Sequence, residues 1–146
     1  MRRVVYILGA LGIIGTGALS SAFADDKDVI DYRQHVMNTL NEQSAALGEI
    51  LSTAIPDDNA VQHLDALALT ATTAMKAFEP KVPGGEAKPE VWSKWDDFSK
   101  RMNEFVQKIA AAAKMAHEQG KDAALANILD VMTCKSCHEV YRREKK

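Results

Sequence analysis

Residues 134 to 138 read Cys-Lys-Ser-Cys-His, close to the end of a 146-residue chain that has no other cysteine. Two thiols three positions apart, with an imidazole directly after the second, is the spacing that attaches c-type haem, each sulfur forming a thioether to one vinyl group. Side chains at i, i+3 and i+4 share one face of a helix. Cys134, Cys137 and His138 would therefore meet one flat ligand, with His138 as the axial ligand to iron. Whatever fold the chain adopts must present this helix face to an enclosed, planar guest. Competing uses of the pair fit less well. A structural zinc site needs about four ligands, and the other histidines, His35, His63 and His117, are scattered. A thiol–disulfide redox pair belongs beside a βαβ pattern, which this sequence lacks.

The first 24 residues read as a cleavable signal peptide. Arg2 and Arg3 supply the positive start, Val4 to Leu19 the apolar stretch, and Ala22-Phe23-Ala24 the small-x-small cleavage pattern. The apolar stretch is 16 residues long, short of the ~20 that span a bilayer. The expected mature protein is therefore one domain, 25–146, exported to the periplasm and not embedded in a membrane. The segment carries two basic and no acidic residues, so its loss takes the formal charge from −2 to −4. An acidic domain of this kind is not a nucleic-acid binder.

After residue 25 the apolar pattern is helical throughout, in four stretches punctuated by Pro and Gly. The first is expected from about Asp28 to Ser52, capped by Asp25 or Asp26, with Ile30, Arg33 or Gln34, Met37, Leu40, Ser44, Leu47 and Leu51 inward. Ile55-Pro56-Asp57 ends it, and Asp57 or Asp58 caps a second helix with Val61, Leu64, Leu67 or Ala68, Ala71, Met75 and Phe78 on its stripe. The long connection EPKVPGGEAK follows, with Pro89 opening the third helix, where a missing N–H is harmless. Val91, Trp95, Phe98, Met102, Phe105, Ile109, Ala112 and Ala116 alternate at four and three residues, the clearest heptad pattern in the chain. Gly120 ends that helix. A fourth is expected from about Asp122 to Arg143, with Ala124, Ile128, Val131 and Cys134 leading to His138 on one buried stripe. Four such helices with short links predict an all-α, antiparallel up-down-up-down four-helix bundle enclosing one covalently bound haem. Only 6% of the residues are aromatic, and the haem would take the place of several large side chains.

Three segments together, CKSCHEVYR at the C-terminus, GGEAKPEVW before the third helix and IDYRQHVM in the first, resemble the class II c-type cytochromes, meaning cytochrome c prime and its low-spin relatives. The resemblance covers the whole of 25–146. It implies that Cys134 and Cys137 anchor the haem and that His138 is the proximal ligand. It places Arg33 and Gln34 near the haem propionates, Glu86 against the haem from the turn before helix three, and Arg142 beside the proximal histidine. For Arg33 physical reasoning agrees, since a guanidinium on an apolar face needs an anionic partner. Met37 matches the distal residue. In five-coordinate members an apolar side chain there shields the iron and leaves a site for NO or CO, whereas in low-spin members a methionine ligates it. His35 lies two residues from Met37 and points to a different face.

The leading expectation is a periplasmic electron-transfer cytochrome, a carrier and not an enzyme, with iron held by His138 and Met37 and with redox proteins as partners. A thioether axial ligand raises the potential, as such a carrier requires. The alternative is a five-coordinate protein that binds or sequesters NO or CO, with Met37 as a lid. A thiol–disulfide protein using Cys134 and Cys137 is the remaining possibility. Relatives that pair through their first two helices make a homodimer a further expectation.

Overall fold

The computed structural model describes residues 25–52, 55–132 and 134–144; the leader expected over 1–24 lies outside them. Helix α1 spans Asp26–Ser52. Asp25 caps it, its Oδ1 accepting the Asp28 N–H at 2.8 Å, and Asp26 and Asp28 in the first turn complement the helix dipole. Arg33, Val36, Leu40 and Leu47 are buried. Val36 takes an inward place not expected from the sequence, because 33, 36 and 40 share the face that packs on the bundle. Met37 sits half-buried on the flank of that face. Leu51, expected inward, is 42% exposed in the last turn.

Helix α2 spans Ala60–Ala74, with Asn59 as its N-cap residue. The expected cap, Asp57, instead gives its carboxylate to Lys121 Nζ at 2.7 Å, tying the start of the second helix to the start of the fourth. Ala60, Leu64, Leu67, Ala71 and Ala74 are wholly buried, and the three alanines let neighbouring helices approach closely. A 3₁₀ turn, Lys76–Phe78, follows.

The third helix comes in two pieces, α3 (Glu90–Ser93) and α4 (Trp95–Gln119), separated by Lys94 at φ −123°, ψ 43°. Just before the break Trp92 Nε1 donates to Phe78 O at 3.0 Å, tethering α3 to the turn that ends the second helix. Gly120, at φ +93°, stops α4 in a conformation that glycine adopts without steric cost. The continuous fourth helix expected from the sequence is replaced by three segments, α5 (Lys121–Ala126), α6 (Ile128–Val131) and α7 (Cys134–Tyr141). The first break falls at Asn127, whose side-chain amide donates to Ala123 O at 3.3 Å, the backbone competition that makes Asn a poor interior helix residue. The second falls at Met132, φ −79°, ψ 56°.

Helix α1 packs on α2, α2 on α4, and α4 on α5 and α6, giving a four-helix bundle whose last helix is segmented. Among the described residues there is no β-strand, only the isolated bridges Gly84–Ala87 and Ala87–Arg142. The core is aliphatic along α1, α2 and the far half of α4. It turns aromatic near α7, where Phe78 and Phe98 lie 4.9 Å apart and Phe98 and Tyr141 5.2 Å apart. Replacing Leu64, fully buried on α2, by Ala should cost ~2–5 kcal/mol in a denaturant titration. The same change at Leu69, 72% exposed, should stay within ~0.5 kcal/mol.

Candidate functional site

A cavity of about 1070 Å³ opens between α1, α4 and α7. Helix α1 contributes Arg33, Gln34, Met37 and Leu40, and α4 contributes Phe98, Met102 and Phe105. The opposite wall is α7, with Cys134, Cys137 and His138, while Glu86 reaches in from the connection before α3. All seven candidate residues read from the sequence thus line one space, although they lie on three separate parts of the chain.

On α7 both thiols and the imidazole are half-buried. Burial pushes the Cys134 and Cys137 thiols up from their ordinary value, against the thiolate that a redox pair needs. Burial also pulls the His138 imidazole down, helped by the Arg142 guanidinium and opposed by Glu86. The result favours neutral imidazole, the form that binds metal.

Helix α7 is short and depends on anchors beyond its own turns. Tyr141, 3% exposed, donates its hydroxyl proton to Asp97 Oδ2 at the start of α4. Arg101 Nε donates to the same oxygen at 2.8 Å, and the Arg101 guanidinium lies 6.0 Å from the Tyr141 ring centre. Burial and the carboxylate together push the Tyr141 phenol up to about 12, while the phenol and Arg101 hold Asp97 below the usual carboxylate range. On the other side the connection before α3 is stitched to the end of α7, Lys88 N–H donating to Tyr141 O at 2.9 Å and Arg143 N–H to Glu86 O at 2.8 Å.

That connection is in turn pinned to α1 by Arg33, which is 3% exposed. Its guanidinium donates to Val82 O at 3.1 Å and Gly84 O at 3.0 Å and lies 5.2 Å from the ring centres of both Phe78 and Trp92. The charge expected to need an anion is met by carbonyl oxygens and aromatic faces. Gly85, at φ +58°, lies so close to α1 that a Cβ would stand 2.8 Å from Gln34 Nε2 and 3.0 Å from Ile30 Cγ2. Here the Gly-Gly pair permits a close approach.

The donor set suits a haem. Two thiols and one imidazole share the wall of a cavity at the upper end of the usual ligand-pocket range. Among the described residues no group of three or more His, Cys, Asp or Glu side chains could hold a bare ion. Such a wall fits a metal that brings its own planar ligand. The α1 wall faces it with the Met37 thioether, the Gln34, Asn38 and Asn41 amides, Arg33, Leu40 and Ser44, while His35 is exposed.

The sequence did not disclose Tyr141, Asp97 and Arg101 as part of the site. Tyr141 follows His138 by three residues and so shares its face, a legible signal, but its partner across to α4 leaves no trace in a single sequence.

Comparison with known proteins places this site in context. Residues 28–142 match the family model described as Cytochrome C′. Cytochrome c′ of Alcaligenes xylosoxydans xylosoxydans is 29% identical over 126 residues, 84% of this chain and 99% of that protein. Cytochrome c-554 of Cereibacter sphaeroides is 30% identical over 129 residues, 80% of this chain and 93% of that protein. A solved nitric oxide complex of a variant of cytochrome c prime from Alcaligenes xylosoxidans superposes with a TM-score of 0.70 at 25% identity, covering 84% of this chain and 99% of that one.

The Tyr141–Asp97 contact makes a pH-dependent prediction. A phenol whose pKa is higher folded than unfolded contributes stability that is whole below its ordinary ~10 and is lost as pH climbs towards about 12. Tyr141→Phe should cost ~1 kcal/mol at neutral pH. It should also remove that part of the alkaline loss of stability between those values, as read by thermal melts across the pH series.

Proposed function

Because the chain belongs to the cytochrome c′ family, whose members carry covalently attached haem c, we propose that it is a periplasmic haem protein that binds NO or CO. Cys134 and Cys137 hold the macrocycle through thioethers, and His138 is the proximal ligand. When bound, the haem would supply iron with a position open to a gas, reached from the α1 side. Met37 stands over that side as an apolar lid, and Gln34 and Glu86 border the space from α1 and the connection. The observation that carries this reading is the α1 wall itself. Beside Met37 it offers the Gln34, Asn38 and Asn41 amides, the Ser44 hydroxyl, Leu40 and an Arg33 guanidinium already bonded to the Val82 and Gly84 carbonyls, so a small neutral gas can enter without displacing an imidazole, thiolate or carboxylate. The nitric oxide complex of the Alcaligenes relative supports the same choice.

The residues of the chain supply three things around the cofactor. Neutral His138 donates its lone pair, because burial disfavours the imidazolium. Phe98, Met102 and Phe105 exclude water from one flank. Tyr141 and the 84–88 connection hold α7 in register with the bundle. The 1–24 leader would direct the chain to the periplasm and then be cleaved. Among the described residues no helix is long and apolar enough to cross a membrane.

An electron-carrier role with Met37 on the iron is the second reading, favoured by the thioether in the α1 wall. The ferric optical spectrum separates the two. High-spin ferric haem with ready CO uptake by the ferrous protein is the expected result, and Met37→Ala should speed CO association about tenfold, the effect of removing ~1.4 kcal/mol of steric barrier. A low-spin ferric spectrum with a methionine-to-iron charge-transfer band, converted to high-spin by Met37→Ala, would establish the carrier instead.

A further inference from the structure

Charge is unevenly spread over this acidic domain. Of the fourteen basic residues described, eight line the cavity, against five of the twenty acidic ones, leaving the lining at +3. The rest of the described chain has six basic and fifteen acidic residues, or −9. Three of the eight are committed inward: Arg33 to carbonyls, Arg101 to Asp97 and Lys88 to Glu139 O. The other five, Lys100, Lys108, Lys135, Arg142 and Arg143, stand exposed at the cavity mouth. Lys100 and Lys135 make only long pairs within their own helices, 4.0 Å to Glu104 and 3.8 Å to Glu139, with lysine side chains 75% and 90% exposed. Pairs so exposed hold little energy and release easily. Among the described residues, Lys108, Arg142 and Arg143 have no carboxylate within ion-pair distance.

We propose that this basic mouth is a docking face for an acidic protein that exchanges one electron with the haem. The inference rests on the haem reading above and adds a partner to it. One electron passes between partner and iron, which alternates between ferric and ferrous, and no atom is transferred. The two carboxylates of a haem offset at most two of the mouth's charges, so the contrast with the −9 remainder persists. That contrast orients the domain, mouth first, towards an acidic surface and raises the rate of productive encounter. An acidic protein fits better than an anionic membrane, because the exposed large apolar side chains Leu69 and Leu129 lie away from the mouth and give a bilayer no foothold there.

The test uses the haem-loaded protein, isotope-labelled and titrated with poly-L-glutamate. Amide shifts should cluster at 100–108 and 134–143, vanish in ~0.5 M salt, where the Debye length falls to a few Å, and be lost in the Lys100→Glu, Lys108→Glu, Lys135→Glu triple variant. Oxidation of the ferrous protein by hexacyanoferrate(III), which gains the electron the iron gives up, should slow about tenfold from low salt to ~0.5 M. In the triple variant it should instead quicken with salt, because three Lys→Glu changes take the net charge of 25–146 from −4 to −10. Overturning results are wild-type oxidation that quickens with salt, shifts that map to α1 and α2, or binding to anionic phospholipid vesicles with none to poly-L-glutamate. Lack of haem absorbance in the same sample would sink the cofactor reading instead, whereas the poly-L-glutamate titration still reads the charged face.

Discussion

The segment that bears the site chemistry is too short to stand alone. A helix of eight residues is marginal in water whatever its composition, and α7 is severed from α6 by the break at Met132. Its position depends on two attachments to the bundle. One is the Tyr141 hydroxyl on Asp97, reinforced by Arg101. The other is the 84–88 connection, bonded to α7 on one side and clamped to α1 by Arg33 on the other. Each attachment crosses to a different helix, so the wall bearing Cys134, Cys137 and His138 is fixed relative to both α4 and α1. The cavity between them is the consequence.

The same construction sets the electrostatics of the site. Burying α7 against Phe98 and the aromatic cluster leaves His138 in an environment that opposes its charge. The His138 imidazole and the Met37 thioether line the same cavity, one from α7 and the other from α1. In the proposed reading, Met37 would decide whether iron held by His138 is left open to a gas or closed by sulfur. The charged groups are kept to the mouth, where lysines and arginines remain solvated, and the buried Arg33 is used to hold a loop.

Much of this was legible before any coordinates. The heptad of α4 and the punctuation at Pro56, Pro89 and Gly120 mark the helices, and the Cys-x-x-Cys-His spacing places three site residues on one face. The Gly-Gly turn was legible as a motif, but its reason, a backbone pressed against Ile30 and Gln34, needs three dimensions. The breaks at Lys94, Asn127 and Met132 were not legible, because apolar periodicity runs unbroken across them and tertiary bonds decide the backbone there. Arg33 was read on the inward face of the first helix and given an anion for a partner. Carbonyls of a loop about fifty residues away in sequence cannot be found from helical spacing.

Everything here presumes a haem covalently joined to α7, and mass spectrometry of the exported chain tests that most directly. The account predicts an intact mass equal to residues 25–146 plus one haem, with the added mass recovered on a peptide containing both Cys134 and Cys137. An exported chain of bare polypeptide mass, made with the haem-attachment machinery present, would contradict it.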